Sequence, residues 1–456
     1  MKAVIAAVGL PAFMVSLDNL VVTTALPAMR TAFDASTGDL QWIVDAYTLP
    51  YAALLLTAAA LGDRFGRRLI FMIGIVVFTC ASAGCALATT VGALMIARAV
   101  QGASGAFVMT LSLALLAAGV PAGRRPLAIA LWSGFTGLGV AIGPVLGGAV
   151  VEGLHWTWIF WLNVPVGLVA MLLAGRLLSE SRGQPRRIDL GGIALLTTSI
   201  FVLVRGVVEA PAHGWSSPRV LAALAGGAAV FGLFLWWQSR SAAPMLPLRL
   251  FRSREFSVIN TLSFSLNIGV YGSIFLLAQF FQVVQGADPL QAGLRTLPCS
   301  LVPLFVGPAT GLLMARWGAP RLVVAGQALV ALSLVWMATV FAADVPFPVL
   351  FGPFLLAGIG LGLSYPPISA VALEAVPEHE RGVAAGVNNT ARELGVAVGV
   401  AMLVSIFATE GGYTPTTFVD GLVPALAAAA VIVAAGTALA LLLPGVRRAQ
   451  LLATGD

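Results

Sequence analysis

Fourteen long apolar runs, separated by short polar connections, constrain the fold of this chain more than any other feature. Each run is roughly 20 residues or longer, the length that an α-helix needs to cross a bilayer. A membrane-spanning β-barrel would show alternating segments of about ten residues instead. The sequence therefore predicts an all-α integral membrane protein with fourteen spans. The runs are residues 4–29, 41–61, 69–88, 91–117, 127–151, 157–178, 189–208, 219–239, 256–283, 290–315, 321–341, 346–373, 382–408 and 421–444.

Composition excludes a soluble protein of this length. Only 10% of the 456 residues are charged and 59% are hydrophobic, whereas soluble domains carry about 25% charge. The net charge of +6 does not indicate nucleic-acid binding, because the basic residues lie in short connections between apolar runs. The expected environment is the lipid bilayer, specifically a bacterial cytoplasmic membrane, since the abundance of Arg and Ala suggests a GC-rich genome.

The distribution of Arg residues predicts the orientation. Even-numbered connections are rich in cations, whereas odd-numbered connections hold clear cations only at Arg30 and Arg219. Cytoplasmic loops carry the excess of Lys and Arg, so we expect both termini to be cytoplasmic. Six runs at each end resemble repeated bundles, a common transporter plan. The predicted division is a six-helix bundle over 1–180, two linking helices over 181–245 and a second six-helix bundle over 246–456.

Charged and amide side chains inside the apolar runs are the candidate functional residues. Asp18 lies near the middle of the first run, Asp45 in the second, and Arg98 and Gln101 in the fourth. An ionised Asp at the bilayer centre costs roughly 2.5–3.5 kcal/mol on insertion scales, so such residues are functional candidates by default. The second half adds polar residues that could line a substrate cavity: Asn260, Asn267, Tyr271, Gln279, Asn388, Arg392 and Glu393.

Several of these residues have alternative interpretations. The first two runs cross in opposite directions, which would bring Asp18 and Asp45 to the same half of the bilayer, where they could line one cavity. Asp45 could equally be a solvated acid at the interface. Arg98 could be a structural residue that binds backbone carbonyls. Glu393 either titrates or neutralises Arg392, and we favour neutralisation.

Two further motifs indicate moving or closely packed helices. LGDRFGRR joins the second and third runs, where Asp63 can pair with a neighbouring Arg and Gly66 permits a tight turn. We interpret this motif as a conformational latch formed by Asp63, Arg64, Gly66, Arg67 and Arg68, although a simple basic loop is the alternative. In GVAIGPVLGG the small residues at 139, 143 and 147 share one helix face and allow close helix contact. That motif comprises Gly139, Gly143, Pro144, Gly147 and Gly148.

Together these motifs resemble the major facilitator superfamily, in particular its fourteen-span drug–proton antiporters. LGDRFGRR is similar to the signature loop, with Ala59 replacing its first Gly. Arg98, Gln101 and Gly102 fit the R-x-x-Q-G pattern of proton-coupled members, and GVAIGPVLGG fits the antiporter signature. LDNLVVTTALP resembles the first-helix pattern around Asp18. The last similarity lies in the thirteenth run, where NNTARELG resembles the family pattern N-x-x-R-Q-L-G but has Glu393 instead of Gln.

The resemblance implies a proton-coupled antiporter that exports drugs or other lipophilic small molecules across the cytoplasmic membrane. Asp18, Arg98 and Asp45 would couple protons, and acidic cavity residues would favour cationic substrates. We expect a monomer without enzymatic activity, cofactor, metal or nucleic-acid partner. The sequence has no G-x-x-x-x-G-K-[ST] loop that would bind ATP, so export must draw on an ion gradient or on a partner. A dedicated exporter of one antibiotic remains an alternative, as does a nutrient symporter. A membrane enzyme or a scaffold fits less well.

Overall fold

The computed structural model describes residues 2–121, 125–182, 189–241, 244–376, 381–441 and 443. Within these ranges the chain forms fifteen α-helices, and a short 3₁₀ helix, Leu248–Arg252, precedes α10. The helices are α1 Lys2–Phe33, α2 Thr37–Phe65, α3 Arg67–Ala86, α4 Val91–Gly119, α5 Arg125–Gly153, α6 Trp158–Trp161, α7 Asn163–Leu177, α8 Leu190–His213, α9 Pro218–Arg240, α10 Arg254–Val283, α11 Pro289–Trp317, α12 Ala319–Val340, α13 Phe347–Glu374, α14 Arg381–Glu410 and α15 Phe418–Ala440.

The helices confirm the predicted all-α membrane fold. Each apolar run coincides with one helix, except the sixth, which is divided into α6 and α7. Pro165 explains the division, because it lacks the N–H that a continuous helix would direct to the carbonyl of Trp161. Among the described residues, thirteen segments are long and apolar enough to span a membrane, with Trp158–Leu177 as one of them. The α2 helix is not among the thirteen but has 29 residues. The orientation of the termini stays a prediction.

The chain divides into two compact units. Unit 1 comprises residues 1–206, 221–245 and 288–293. In it α1 packs along α5, α2 packs along α4, and α3 contacts both α4 and α7.

Unit 2 comprises residues 207–220, 246–287 and 294–456. Here α12 packs along α13, while α10 lies against α14 and α15. The predicted boundaries at residues 180 and 245 stay predictions.

Local sequence determines where several helices begin. Ser36 and Asp39 form a reciprocal capping box at the start of α2: Ser36 Oγ accepts from Asp39 N at 3.2 Å, and Asp39 Oδ2 accepts from Ser36 N at 2.9 Å. Thr90 and Ser253 cap α4 and α10 without the reciprocal bond, each accepting a hydrogen bond from the backbone N–H three residues later. These caps satisfy N–H groups that have no partner within the helix.

Asp189 joins the beginning of α8 to the end of α9. Its carboxylate caps α8 through Gly192 N at 2.8 Å and accepts from Trp237 Nε1 and Gln238 Nε2, both at 2.7 Å. Partial burial raises the pKa of Asp189, but the hydrogen bonds from Trp237, Gly192, Gln238 and Met245 outweigh burial and lower the pKa below its usual value. The ionised carboxylate therefore stabilises this end of the helical pair.

Candidate functional site

A buried network in unit 1 centres on Asp18. Its Oδ2 accepts from Arg98 Nη1 at 2.6 Å, and its Oδ1 accepts from Gln101 Nε2 at 2.9 Å and from Asn163 Nδ2 at 2.7 Å. Ser82 Oγ accepts from the same two amides, at 2.6 Å from Gln101 and 3.1 Å from Asn163. The carboxylate on α1 thus binds donors from α4 and α7, and α3 joins the network through Ser82. A shift between these helices would change the network.

The network excludes water almost completely. Asp18 is 0% exposed and Arg98 only 1%, so the ion pair between them is fully desolvated. The guanidinium lies over the ring of Tyr47 at 4.2 Å and faces Phe160 at 5.8 Å, distances within the range of cation–π attraction. A buried ion pair of this kind depends on both partners, because either charge alone would be left uncompensated.

Sequence reasoning found Asp18, Arg98 and Gln101 but missed Ser82 and Asn163. Asn163 is nevertheless an amide within the sixth apolar run, and that was a usable signal for a functional residue. Ser82 gave no such signal, because hydroxyls in membrane helices commonly bind their own backbone. Cys85, one turn after Ser82 on α3, donates to Gln101 Oε1 at 3.6 Å.

The glycine stripe of α5 faces the helix that carries Asp18. A Cβ at Gly139 would lie 2.7 Å from Phe13 O, and one at Gly143 would lie 3.1 Å from Leu20 Cβ. At Gly147 a Cβ would collide with α1 again. The three glycines therefore permit the α1–α5 approach on both sides of Asp18. The remaining motif residues are Pro144, which lies inside α5, and Gly148, whose Cβ would meet backbone atoms of Pro289 in the same unit.

Asp45 differs sharply from Asp18. It is also 0% exposed, yet neither of its carboxylate oxygens has a hydrogen-bond partner among the described residues. Close to Asp45, α2 and α4 are in tight contact, because Gly102 of α4 packs directly against the backbone of Tyr47 in α2. The structure thus places Asp18 and Asp45 in one unit, both shielded from solvent, but gives donors to only one of them.

The predicted latch residues lie at the end of α2 and the beginning of α3, on either side of Gly66. Asp63 Oδ1 pairs with Arg67 at 2.7 Å, and both side chains are partly exposed. Gly66 has φ of 118°, a conformation that favours glycine. Arg68 Nη2 donates to Gly175 O, and Arg64 lies over the ring of Phe65 at 5.3 Å.

Glu180 follows α7 in the sequence but contacts the beginning of α3, and sequence reasoning missed it. Its Oε1 accepts from Arg68 N at 2.9 Å and its Oε2 from Leu69 N at 3.1 Å. A carboxylate at the N-terminus of α3 satisfies free N–H groups and complements the helix dipole. Arg67 N also donates to Ser181 O at 2.9 Å, so the segment after α7 holds the loop that contains the latch residues.

The predicted amide residues of unit 2 bind mainly to their own helix. Asn260, Asn267 and Gln279 each donate to a main-chain carbonyl four residues earlier in α10, at 2.6 to 2.9 Å. Asn388 Nδ2 also donates to Asn260 Oδ1 at 3.2 Å, and Tyr365 OH donates to Asn267 Oδ1 at 2.9 Å. These two contacts connect α10 to α14 and to α13.

Arg392 and Glu393 form an ion pair on α14. Glu393 Oε1 accepts from Arg392 Nη2 at 3.0 Å and from Arg392 Nε at 3.2 Å, and the choice between neutralisation and titration stays a prediction. Tyr271 lies within electrostatic reach of both residues and of Cys299. Within the described ranges, no group of three or more His, Cys, Asp or Glu residues is arranged to hold a metal ion.

Comparisons with known proteins agree with this architecture. The sequence model of the Major Facilitator Superfamily matches residues 8–400. The chain is 35% identical over 408 residues to the tetracenomycin C resistance and export protein of Streptomyces glaucescens, which covers 89% of this chain and 76% of that protein. It is 36% identical over 405 residues to the multidrug efflux pump LfrA of Mycolicibacterium smegmatis, with 88% and 80% covered.

Solved structures support the fold alone. A D-xylose–proton symporter aligns with 95% of this chain and 97% of its own at a TM-score of 0.65 and 16% identity. The human organic anion transporter MFSD10 gives the same TM-score and identity over 96% and 99% of the two chains.

Proposed function

This chain belongs to the major facilitator superfamily, and we propose that it is a drug efflux pump that exchanges protons for its substrates. The relatives described above are named for resistance, export and multidrug efflux, which supports outward transport of drug-like molecules. Proton coupling is the more specific part of the proposal, and the names of the relatives do not bear on it. It rests on one observation: a carboxylate at membrane depth, Asp18, is held by a guanidinium and two amides from other helices.

The proposed mechanism uses Asp18 as the proton carrier. Ionised Asp18 binds Arg98, Gln101 and Asn163, which stabilises the arrangement of helices seen here. A proton on Asp18 would remove the charge that holds Arg98, and the helices could then adopt a second arrangement open to the other side of the membrane. Loss of that proton returns the network to its present form. A membrane potential of 100 mV supplies roughly 2.3 kcal/mol per charge moved, so the cycle can drive uphill export.

The motifs around Asp18 have matching roles in this proposal. The stripe of Gly139, Gly143 and Gly147 lets α1 move against α5 without large side chains in the way. The Asp63–Arg67 pair acts as a latch that is formed in one arrangement and broken in the other. Asp45 is the second proton-coupling acid of this proposal. Its carboxyl is buried without a partner here, so it would attract a lipophilic cation only in an arrangement where it is ionised and the substrate can reach it.

The experiment that tests coupling is substrate-driven proton movement in liposomes reconstituted with the purified protein. A panel of cationic and neutral drugs is added, and proton movement is recorded with a pH-sensitive dye. We expect Asp18→Asn to abolish proton-coupled export, because Asn cannot bind and release a proton. The control is Asp34→Asn, the same chemical change at an exposed residue just after α1. Coupled export by the Asp18 variant at the wild-type rate would reject the role.

A dedicated exporter of one antibiotic is the second candidate. The name of the Streptomyces glaucescens relative favours this alternative, and further relatives are named for resistance to methylenomycin A. The same drug panel separates the two functions, since a dedicated exporter would move one compound and a multidrug pump several. Accumulation inside oriented vesicles, rather than extrusion, would indicate a nutrient symporter.

A further inference from the structure

The Glu393 carboxylate has one oxygen engaged and one without a partner. Oε1 accepts both hydrogen bonds from Arg392, whereas Oε2 has no donor among the described residues. The residue is only 4% exposed. A buried acceptor without a donor is unfavourable, so Oε2 is a position where a donor from another molecule would be stabilising.

The neighbouring guanidinium indicates that this position borders a water-accessible space. The Arg392 side chain is 37% exposed, although it lies within the membrane-spanning segment Val383–Glu410. Exposed Arg residues at membrane depth face water-filled cavities or protein rather than lipid. A molecule in that space can therefore contact Arg392 directly, and it reaches the buried Glu393 Oε2 once the exposed Arg392 side chain shifts.

Two tyrosines provide aromatic surface beside the pair. Tyr271 from α10 and Tyr365 from α13 are half-buried, and both lie within electrostatic reach of Arg392 and Glu393. The hydroxyl of Tyr365 is held by Asn267 Oδ1 at 2.9 Å, which fixes the ring. Flat aromatic ligands stack on such rings.

We propose that Glu393 Oε2, Tyr271 and Tyr365 form a ligand subsite for aromatic molecules that carry an N–H or O–H donor. This inference rests on the proposed export function and adds the chemical class of the substrate. The Arg392–Glu393 pair has no net charge, so a permanent cation without a donor gains little from it. A ligand that donates to Oε2 satisfies the buried acceptor, and sites built on such a bond discriminate strongly against analogues that lack it.

Direct binding to the purified full-length protein in detergent tests the subsite without a proton gradient. The probes are 9-aminoacridine, which carries N–H donors, and 10-methylacridinium, a flat cation of similar size with none. Binding is followed by fluorescence anisotropy. The wild-type protein should bind 9-aminoacridine at least about tenfold more tightly than 10-methylacridinium.

Glu393→Gln is the decisive variant, because Gln keeps the shape of the side chain and its contact with Arg392 but replaces Oε2 by an NH₂ donor. We expect it to reduce the affinity for 9-aminoacridine at least about tenfold more than the affinity for 10-methylacridinium, because both cations lose the charge attraction but only 9-aminoacridine loses a hydrogen bond. Glu374→Gln is the matched control, since Glu374 is exposed at the end of α13 and its substitution should change neither affinity.

Three results would overturn the inference. Equal losses for both probes in Glu393→Gln would show that charge, not a donated hydrogen bond, controls binding. Unchanged affinity in that variant would show that Glu393 does not contact the ligand, and failure of the wild-type protein to bind 9-aminoacridine would exclude the ligand class. Failure of the proposed coupling is distinguishable, because Asp18→Asn would then export normally while the probe selectivity persisted.

Discussion

Among the described residues, each unit holds a carboxylate–guanidinium pair at membrane depth, and these two pairs are built differently. Asp18 and Arg98 are 80 residues apart, come from different helices and are both almost completely buried. Glu393 and Arg392 are adjacent on α14, and the Arg392 side chain is 37% exposed. Asp18 has donors for both oxygens, whereas Glu393 has donors for only one.

The pair that joins two helices can report how those helices are arranged, and we call it a sensor. The pair on one helix can serve as a binding surface that keeps its geometry. An ion pair between helices forms or breaks when those helices move, so its stability depends on conformation. A pair within one helix persists through rigid-body movement of that helix. We therefore propose conformational coupling for Asp18 and Arg98, and ligand recognition for Glu393 and Arg392.

The largest effect is expected from Arg98→Gln. Removal of one partner from a buried pair leaves the other charge uncompensated, which typically costs about 3–5 kcal/mol. We expect a large fall in Tm, measured by intrinsic fluorescence in detergent, and loss of coupled export.

The double variant Asp18→Asn with Arg98→Gln is the control for Arg98→Gln. It should recover part of the lost Tm because neither charge remains, while export stays absent. A Tm within a degree of wild type in Arg98→Gln alone would contradict the comparison, since the pair would then not be holding the helices together.

A smaller effect is expected from Gly147→Ala, which tests whether close packing of α1 on α5 supports the Asp18 network. The added Cβ would lie 2.7 Å from Val21 O, a backbone atom that cannot rotate away. Overpacking of this kind costs about 1–3 kcal/mol, so the Tm should fall by an intermediate amount. Gly153→Ala is the control because nothing lies within 4 Å of its Cβ position. Equal Tm values for both variants would show that α1 and α5 separate freely.

The sequence predicted the elements well because membrane helices are determined by local hydrophobicity. Each apolar run became a helix, and a single Pro accounts for the break in the sixth. Asp18 and Arg98 were recognised because ionisable residues inside apolar runs are rare and costly. Their mutual contact depends on how α1 and α4 pack, and the sequence around either residue does not encode that distance.

Residues that act through unremarkable side chains could not be found from the sequence. Glu180 lies in a polar connection where acids are ordinary, yet it caps α3 from 112 residues away. Ser82 and Tyr365 are common residue types in membrane helices, and only tertiary packing brings them to Gln101 and Asn267. The oxygen of Glu393 that lacks a donor could not be predicted either, because the sequence predicts neutralisation by Arg392 but not which oxygen accepts the hydrogen bonds.

The smallest effect is expected from Arg392→Gln, the same chemical change as Arg98→Gln in the more exposed pair. Partly exposed ion pairs contribute about 0–1 kcal/mol because water screens them, so the Tm should change by a few degrees at most. Proton movement in liposomes should persist, since the Asp18 network lies in the other unit and is left intact. Binding of 10-methylacridinium should increase, because Glu393 would no longer be neutralised and would attract any cation. If Arg392→Gln instead lowered the Tm as much as Arg98→Gln, the pair on α14 would be holding helices together, and the distinction between sensor and binding surface would fail.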